Sequence, residues 1–271
     1  MEDCLRLRGR RAPDNYGYSY HGDYNQHVLC GSAVSSGQEP IKHTTRPITT
    51  SSTVIGLKFN GGTIVMSDTG VCYGNMLRFK SCERFCQVGD RTVVAASGEY
   101  SDFQYLTRDL KEMDTRDWVQ EDGCSREPSS IAAYLGRTFY GQRSRLDPYW
   151  NQMIMAGWQK TSNEPYLGYI DLYGTTFPED YIASGFGSYL AIPLLRKEYR
   201  PDMTEDEAKA LLQKCFMALF YRDCTGLSTV QYAVATSAGI RLSDVSTLTH
   251  KWDYKLWLTP TSQLPVSASS W

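Results

Sequence analysis

Apolar positions along this chain follow two rhythms that alternate from one segment to the next. The first is the unbroken β-branched run of a strand buried on both faces. Residues 52–59, STVIGLKF, and 63–67, TIVMS, flank Asn60, Gly61 and Gly62, and an Asn-Gly linker between two such runs predicts a tight β-hairpin. Residues 91–97, RTVVAAS, predict a further buried strand. The period then lengthens: Phe103, Leu106, Leu110 and Met113 share one helical face. The polar stretch 114–128 interrupts that spacing and predicts a surface loop. A second helix follows Pro128. Strand patterns resume at 152–158, 166–174 and 180–185. Two more helices are predicted, over 188–199 and 204–223. Pro193 is best placed near the first turn of the former. The latter opens on Thr204 and Glu207 at capping-box spacing. Residues 229–236 and 239–245 predict a last strand pair.

Strands thus cluster with strands and helices with helices. That order argues against a doubly wound parallel sheet and for packed antiparallel sheets with a helical pair on each outer face, an α+β arrangement. Residues 1–43 and 251–271 lie outside the periodic body of 44–250. The first segment is basic, aromatic and rich in turn formers, and reads as a removable or flexible leader. The last carries Trp252, Tyr254, Trp257 and Trp271 without a helix or strand period. It reads as a disordered tail or, given its aromatics, as an arm that grips a neighbour.

Composition narrows the function more than the fold. A net charge of −2 gives no electrostatic case for a nucleic-acid or acidic-membrane partner. No apolar run reaches the length of about 18 residues that a membrane helix needs. Eight cysteines include no C-x-x-C pair, so a zinc site or other metal or cofactor is not expected. Of four histidines only His250 lies beyond the leader and its junction, which disfavours a histidine-based catalytic set. One pairing remains suggestive. Ser52 stands where the first hairpin strand begins and Asp68 where its partner ends. Either the hydroxyl is a nucleophile served by the carboxylate, or Ser and Asp simply occupy strand ends and turns.

The segments GGTIVMSD, AASGEYSD, ASGFGS and YRD, following a hydroxyl residue in this order, resemble a proteasome beta subunit, and the likeness spans about residues 44–250. The stretches RFKSCERF, LDPYWNQMIMAGW and YLAIPLLR single out one sibling class within that family. The resemblance implies the four-layer αββα sandwich of the N-terminal nucleophile hydrolases. It implies assembly with other alpha and beta subunits of the 20S core particle into a seven-membered beta ring, with residues 251–271 reaching the opposite beta ring. It also implies ubiquitin-dependent protein degradation by the complex, in cytoplasm and nucleus.

An active member uses an N-terminal Thr freed by cleavage after Gly, a Lys, two Asp, network Ser hydroxyls and an oxyanion Gly. Carried onto this chain, the family pattern places Ser52 at the nucleophile and Ser51 at the Gly before the cut. Asp68 and Asp223 fall at the two Asp positions and Gly98 at the oxyanion Gly. Arg84 takes the place of the Lys, and Phe186 and Gly226 take the places of the two Ser. A guanidinium stays protonated at any working pH and cannot pass a proton. The resemblance therefore implies a non-catalytic subunit in which Asp68 and Arg84 form a buried ion pair. Trimming by an active neighbour is expected between His43 and Thr44. The competing expectation is an active peptidase that uses Ser52.

Overall fold

The computed structural model describes residues 46–120 and 125–251. The expected leader and nearly all of the expected C-terminal extension, including its four aromatic anchors, lie outside the described residues, as do His43 and Thr44.

Among the described residues, fourteen strands build two wholly antiparallel sheets. One contains β1 (Thr49–Ser51), β4 (Val71–Tyr73), β5 (Met76–Phe79), β6 (Phe85–Val88), β7 (Thr92–Glu99), β8 (Asn151–Gln159), β9 (Glu164–Ile170) and β10 (Thr176–Pro178). Its order is β10-β9-β8-β7-β1-β4-β5, with β6 also on β7. The other contains β2 (Val54–Phe59), β3 (Gly62–Asp68), β11 (Tyr181–Ala183), β12 (Thr229–Thr236), β13 (Gly239–Leu242) and β14 (Ser246–Thr247), ordered β11-β2-β3-β12-β13, with β14 on β12. Helices α1 (Tyr100–Val119) and α2 (Pro128–Ser144) cover the first sheet. Helices α3 (Gly187–Glu198) and α4 (Glu205–Arg222) cover the second.

The four layers explain why the central strands β2, β3, β7 and β8 are apolar without alternation, since each of them buries both faces. In β7, Val94 and Ala96 pack under α1 and α2, while Val93 and Ala95 face the other sheet. In β2, Ile55 and Leu57 meet α3 and α4, while Val54 faces inward. The layer between the sheets is thin and tight. A Cβ at Gly56 would lie 3.0 Å from Leu167 Cδ1.

Several expected boundaries shift. Residues 114–119 extend α1 rather than forming a loop. The apolar stripe ends at Met113, but nothing there breaks a helix: Thr115 Oγ1 donates to Lys111 O, and Arg126 reaches back to Asp117. Pro193 lies in the interior of α3, because the helix starts at Gly187 and spans only twelve residues. Pro193 is exposed and Tyr189, four residues earlier, is 75% exposed, so the carbonyl left without its donor is on the wet side of the helix. Strand β9 stops at Ile170 because the Asp171 carboxylate accepts from the N–H groups of Tyr173 and Thr175 and closes a turn. The capping box is present: Thr204 Oγ1 accepts from Glu207 N–H while Glu207 accepts from Thr204 N–H.

Burial sets the cysteine chemistry. Cys86 and Cys215 sit in the two helix-facing cores, and burial pushes their thiols up to about 11 and about 12. Brief alkylation of the native chain near pH ~8 is therefore expected to label exposed Cys224 and spare both. Peptide mapping checks this, and native-state labelling of Cys215 would contradict it.

Candidate functional site

Ser52 does not open the hairpin. It lies with Thr53 in the short gap between β1 and β2, where the chain crosses from one sheet to the other. The residues before it form a strand. β1 pairs with β4 on one side and β7 on the other, with Ser51 opposite both Val71 and Gly98. The Ser51 hydroxyl donates to Gly98 O at 3.0 Å. The chain crosses again after Asp68, where β3 ends and β4 begins in the other sheet. Asp68 and Ser52 are therefore neighbours because two crossings occur at the same end of the sandwich.

Arg84 fills the space between them. Its side chain is almost wholly buried. Nη1 donates to Asp68 Oδ1 at 2.7 Å and reaches Gly70 O at 3.3 Å and Asp68 O at 3.4 Å. Nη2 donates to Ser52 O at 2.7 Å and Ala96 O at 2.8 Å. One guanidinium thus ties β7 in the first sheet to β3 in the second and holds both crossings. Asp68 Oδ2 also accepts from Leu227 N–H at 3.4 Å. Burial pushes the Asp68 carboxyl up, while the Arg84 charge and the Ser52 hydroxyl pull it back down. Burial likewise draws Arg84 down against the pull of Asp68, yet a guanidinium starts so high that it stays protonated.

A cleft of about 550 Å³ opens beside this pair, lined by Ser52, Gly98, Phe186 and Asp223 among others. Asp223 caps the C-terminus of α4, and its Oδ1 is occupied by the N–H and hydroxyl of Thr225. Gly226 N–H donates to Asp223 O, one residue before the Leu227 N–H that meets Asp68. Phe186 is 44% exposed at the start of α3, its ring beside Tyr189. The fold therefore gathers Ser52, Asp68, Arg84, Phe186, Asp223 and Gly226 around one end of the sandwich. Among the described residues the cleft wall offers no histidine and no lysine. The Ser52 nitrogen is a peptide amide wherever β1 precedes it, and an amide is no base.

Gly98 is required sterically. Its φ is +100°, and a Cβ there would lie 2.0 Å from Trp150 O. Two residues were not legible as part of this region. Thr53 Oγ1 accepts from Gly187 N–H and anchors the start of α3. Glu99 accepts from the backbone of residues 48 and 49 across some fifty positions of sequence. Its only local signal is a carboxylate standing at the end of an apolar strand. Among the described residues no cluster of His, Cys, Asp and Glu is arranged to hold a metal ion.

The model of the family described as "Proteasome subunit" matches residues 48–235. The chain is 38% identical over 229 residues to the probable proteasome subunit beta type-7 of Schizosaccharomyces pombe, covering 83% of this chain and 87% of that protein. It is 34% identical over 241 residues to the proteasome subunit beta type-4 of Arabidopsis thaliana, covering 89% and 96%. With the beta type-4 subunit of Dictyostelium discoideum it shares 41% identity over 199 residues, covering 73% and 76%. Together with two antiparallel sheets between two helical pairs, these matches establish that the chain belongs to the proteasome subunit family.

Proposed function

We infer that this chain is a non-catalytic structural beta subunit of the 20S proteasome core particle, one that assembles with the other alpha and beta subunits and supports protein degradation by the complex. The likeness to beta type-4 subunits supports this reading. The observation that carries it is Arg84, which stands where the family pattern has a lysine and whose two terminal nitrogens are spent on structural hydrogen bonds. Those bonds hold it in place as a tie between strands, and its charge never leaves. Phe186 and Gly226 bring no hydroxyl to the network. The same reading includes trimming between His43 and Thr44 by an active neighbour, contact of residues 251–271 with the opposite ring, and residence in cytoplasm and nucleus.

A peptidase using Ser52 is disfavoured, because no free amine serves that hydroxyl and the carboxylate it meets, Asp68, is tied up by the Arg84 guanidinium. The test uses the purified particle and a peptide with an electrophilic warhead. Mass mapping is expected to find Ser52 unmodified, and Ser52→Ala is expected to leave total peptidase activity unchanged. A covalent adduct on Ser52 would refute the reading.

A further inference from the structure

We propose that Glu99 is a positioning residue that sets how far the leading segment of this chain can be trimmed, by holding residues 48–51 in a form no protease can engage. The proposal rests on reading the chain as a subunit whose leader is removed during assembly.

Proteases and other peptide-binding sites take peptides as extended strands through main-chain N–H and C=O groups. In residues 49–51 those groups are already committed. Thr50 pairs with Cys72 on one side and Glu99 on the other, and Ser51 pairs with Val71 and Gly98. The upstream end of this strand is pinned by one carboxylate. Glu99 Oε2 accepts from Ile48 N–H at 2.6 Å and from Thr49 N–H at 3.1 Å. Ile48 O in turn accepts from Gly74 N–H at 2.7 Å. Charge-assisted bonds of this kind are roughly twice as strong as neutral ones.

The carboxylate is itself held firmly. Glu99 is 8% exposed. Its N–H donates to Trp150 O, its carbonyl accepts from Asn151 Nδ2 at 2.8 Å, and its Oε1 accepts from Ser101 Oγ at 2.9 Å. Arg46, Pro47 and Ile48 are all exposed and belong to no strand, but of the three Ile48 has both its N–H and its carbonyl bonded. The boundary between accessible and committed backbone therefore falls at Ile48. Each cut is ordinary amide hydrolysis: water adds its oxygen to the acyl carbon, the C–N bond breaks, and the amine leaves with the proton. What Glu99 controls is which amides can be reached. It lies in the AASGEYSD segment, yet it has no part in the nucleophilic machinery of the family pattern.

The experiment compares wild type, Glu99→Gln and Glu99→Ala in assembled particles, reading the first residue of the mature chain by intact mass. Wild type is expected to start upstream of Ile48. The variants are expected to show starts within residues 48–52, enriched about tenfold, the factor by which removing the charge assistance from the bonds to Ile48 and Thr49 N–H shifts a local opening equilibrium. Glu99→Gln, nearly isosteric, guards against loss of folding in the alanine variant. Identical start residues in wild type and in folded Glu99→Gln would overturn the proposal. A wild-type chain still starting at Met1 would instead refute the trimming reading alone. The purified full chain treated with a broad-specificity protease then decides: about tenfold faster cutting within 48–52 in Glu99→Gln supports the role of Glu99, and equal rates refute it.

Discussion

Replacing Arg84 with alanine is expected to destabilise the chain by about 3–5 kcal/mol, the range for breaking a buried ion pair by deleting one partner. The loss has two parts. Asp68, 1% exposed, would keep a carboxylate with no cation beside it. The carbonyls of Ser52, Gly70 and Ala96 would lose donors at the point where the chain crosses between sheets. Arg84→Lys separates charge from geometry. A lysine restores a cation, but its three donors radiate from one nitrogen, whereas Arg84 spreads its bonds over two. Arg84→Lys should therefore recover only part of the loss. A double exchange, Arg84→Met with Asp68→Leu, should also fall short of wild type, since it removes the charges but leaves the carbonyls of Ser52 and Gly70 without that donor. Urea unfolding of the full-length chain, or its yield in assembled particles, measures each variant. A cost below about 1 kcal/mol for Arg84→Ala would show that the tie between sheets is held elsewhere.

Gly98→Ala is expected to cost about 4 kcal/mol or more, in the tail of single-substitution effects. Two penalties combine. The backbone at φ +100° disfavours any residue with a Cβ, and the added carbon would sit 2.0 Å from Trp150 O. That carbonyl cannot step aside cheaply, because Glu99 N–H donates to it at 2.9 Å. The glycine is also the partner of Ser51 across β1 and β7. Were Gly98 merely a remnant of oxyanion chemistry, a subunit without that chemistry would tolerate alanine there. A melting temperature within about 1–2 °C of wild type would support the remnant view. A collapse in folded yield is the outcome expected from packing.

The two readings available for Ser52 and Asp68 also resolve in physical terms. Their neighbourhood is built, since Arg84 touches both, but it is built as a joint. Nucleophilic chemistry needs a group that can give up and regain a proton beside the hydroxyl. A buried guanidinium engaged with carbonyls of four residues and one carboxylate supplies rigidity in that place.

The sequence by itself determined the layered class of this protein. Long strands such as β7 and β8 and the stripe of α1 carry enough consecutive positions for a period of two or of 3.6 to show, and burial on both strand faces writes itself as continuous apolar runs. The order of those blocks then leaves few packings. The same linear information failed at β1, β4, β5, β6, β10 and β14, each only two to four residues long, too short to display a period. It failed at 114–119, where helix persists without an apolar face, and at Pro193, whose cost depends on which side of α3 meets water. Only the tertiary structure decided the site. Ser51 meets Gly98, Arg84 meets Ser52, and Glu99 meets Ile48 across separations of 47, 32 and 51 residues. Hydrogen bonds at that range form because two sheets stack and the chain crosses between them twice at one end, a fact that no local pattern of residues contains.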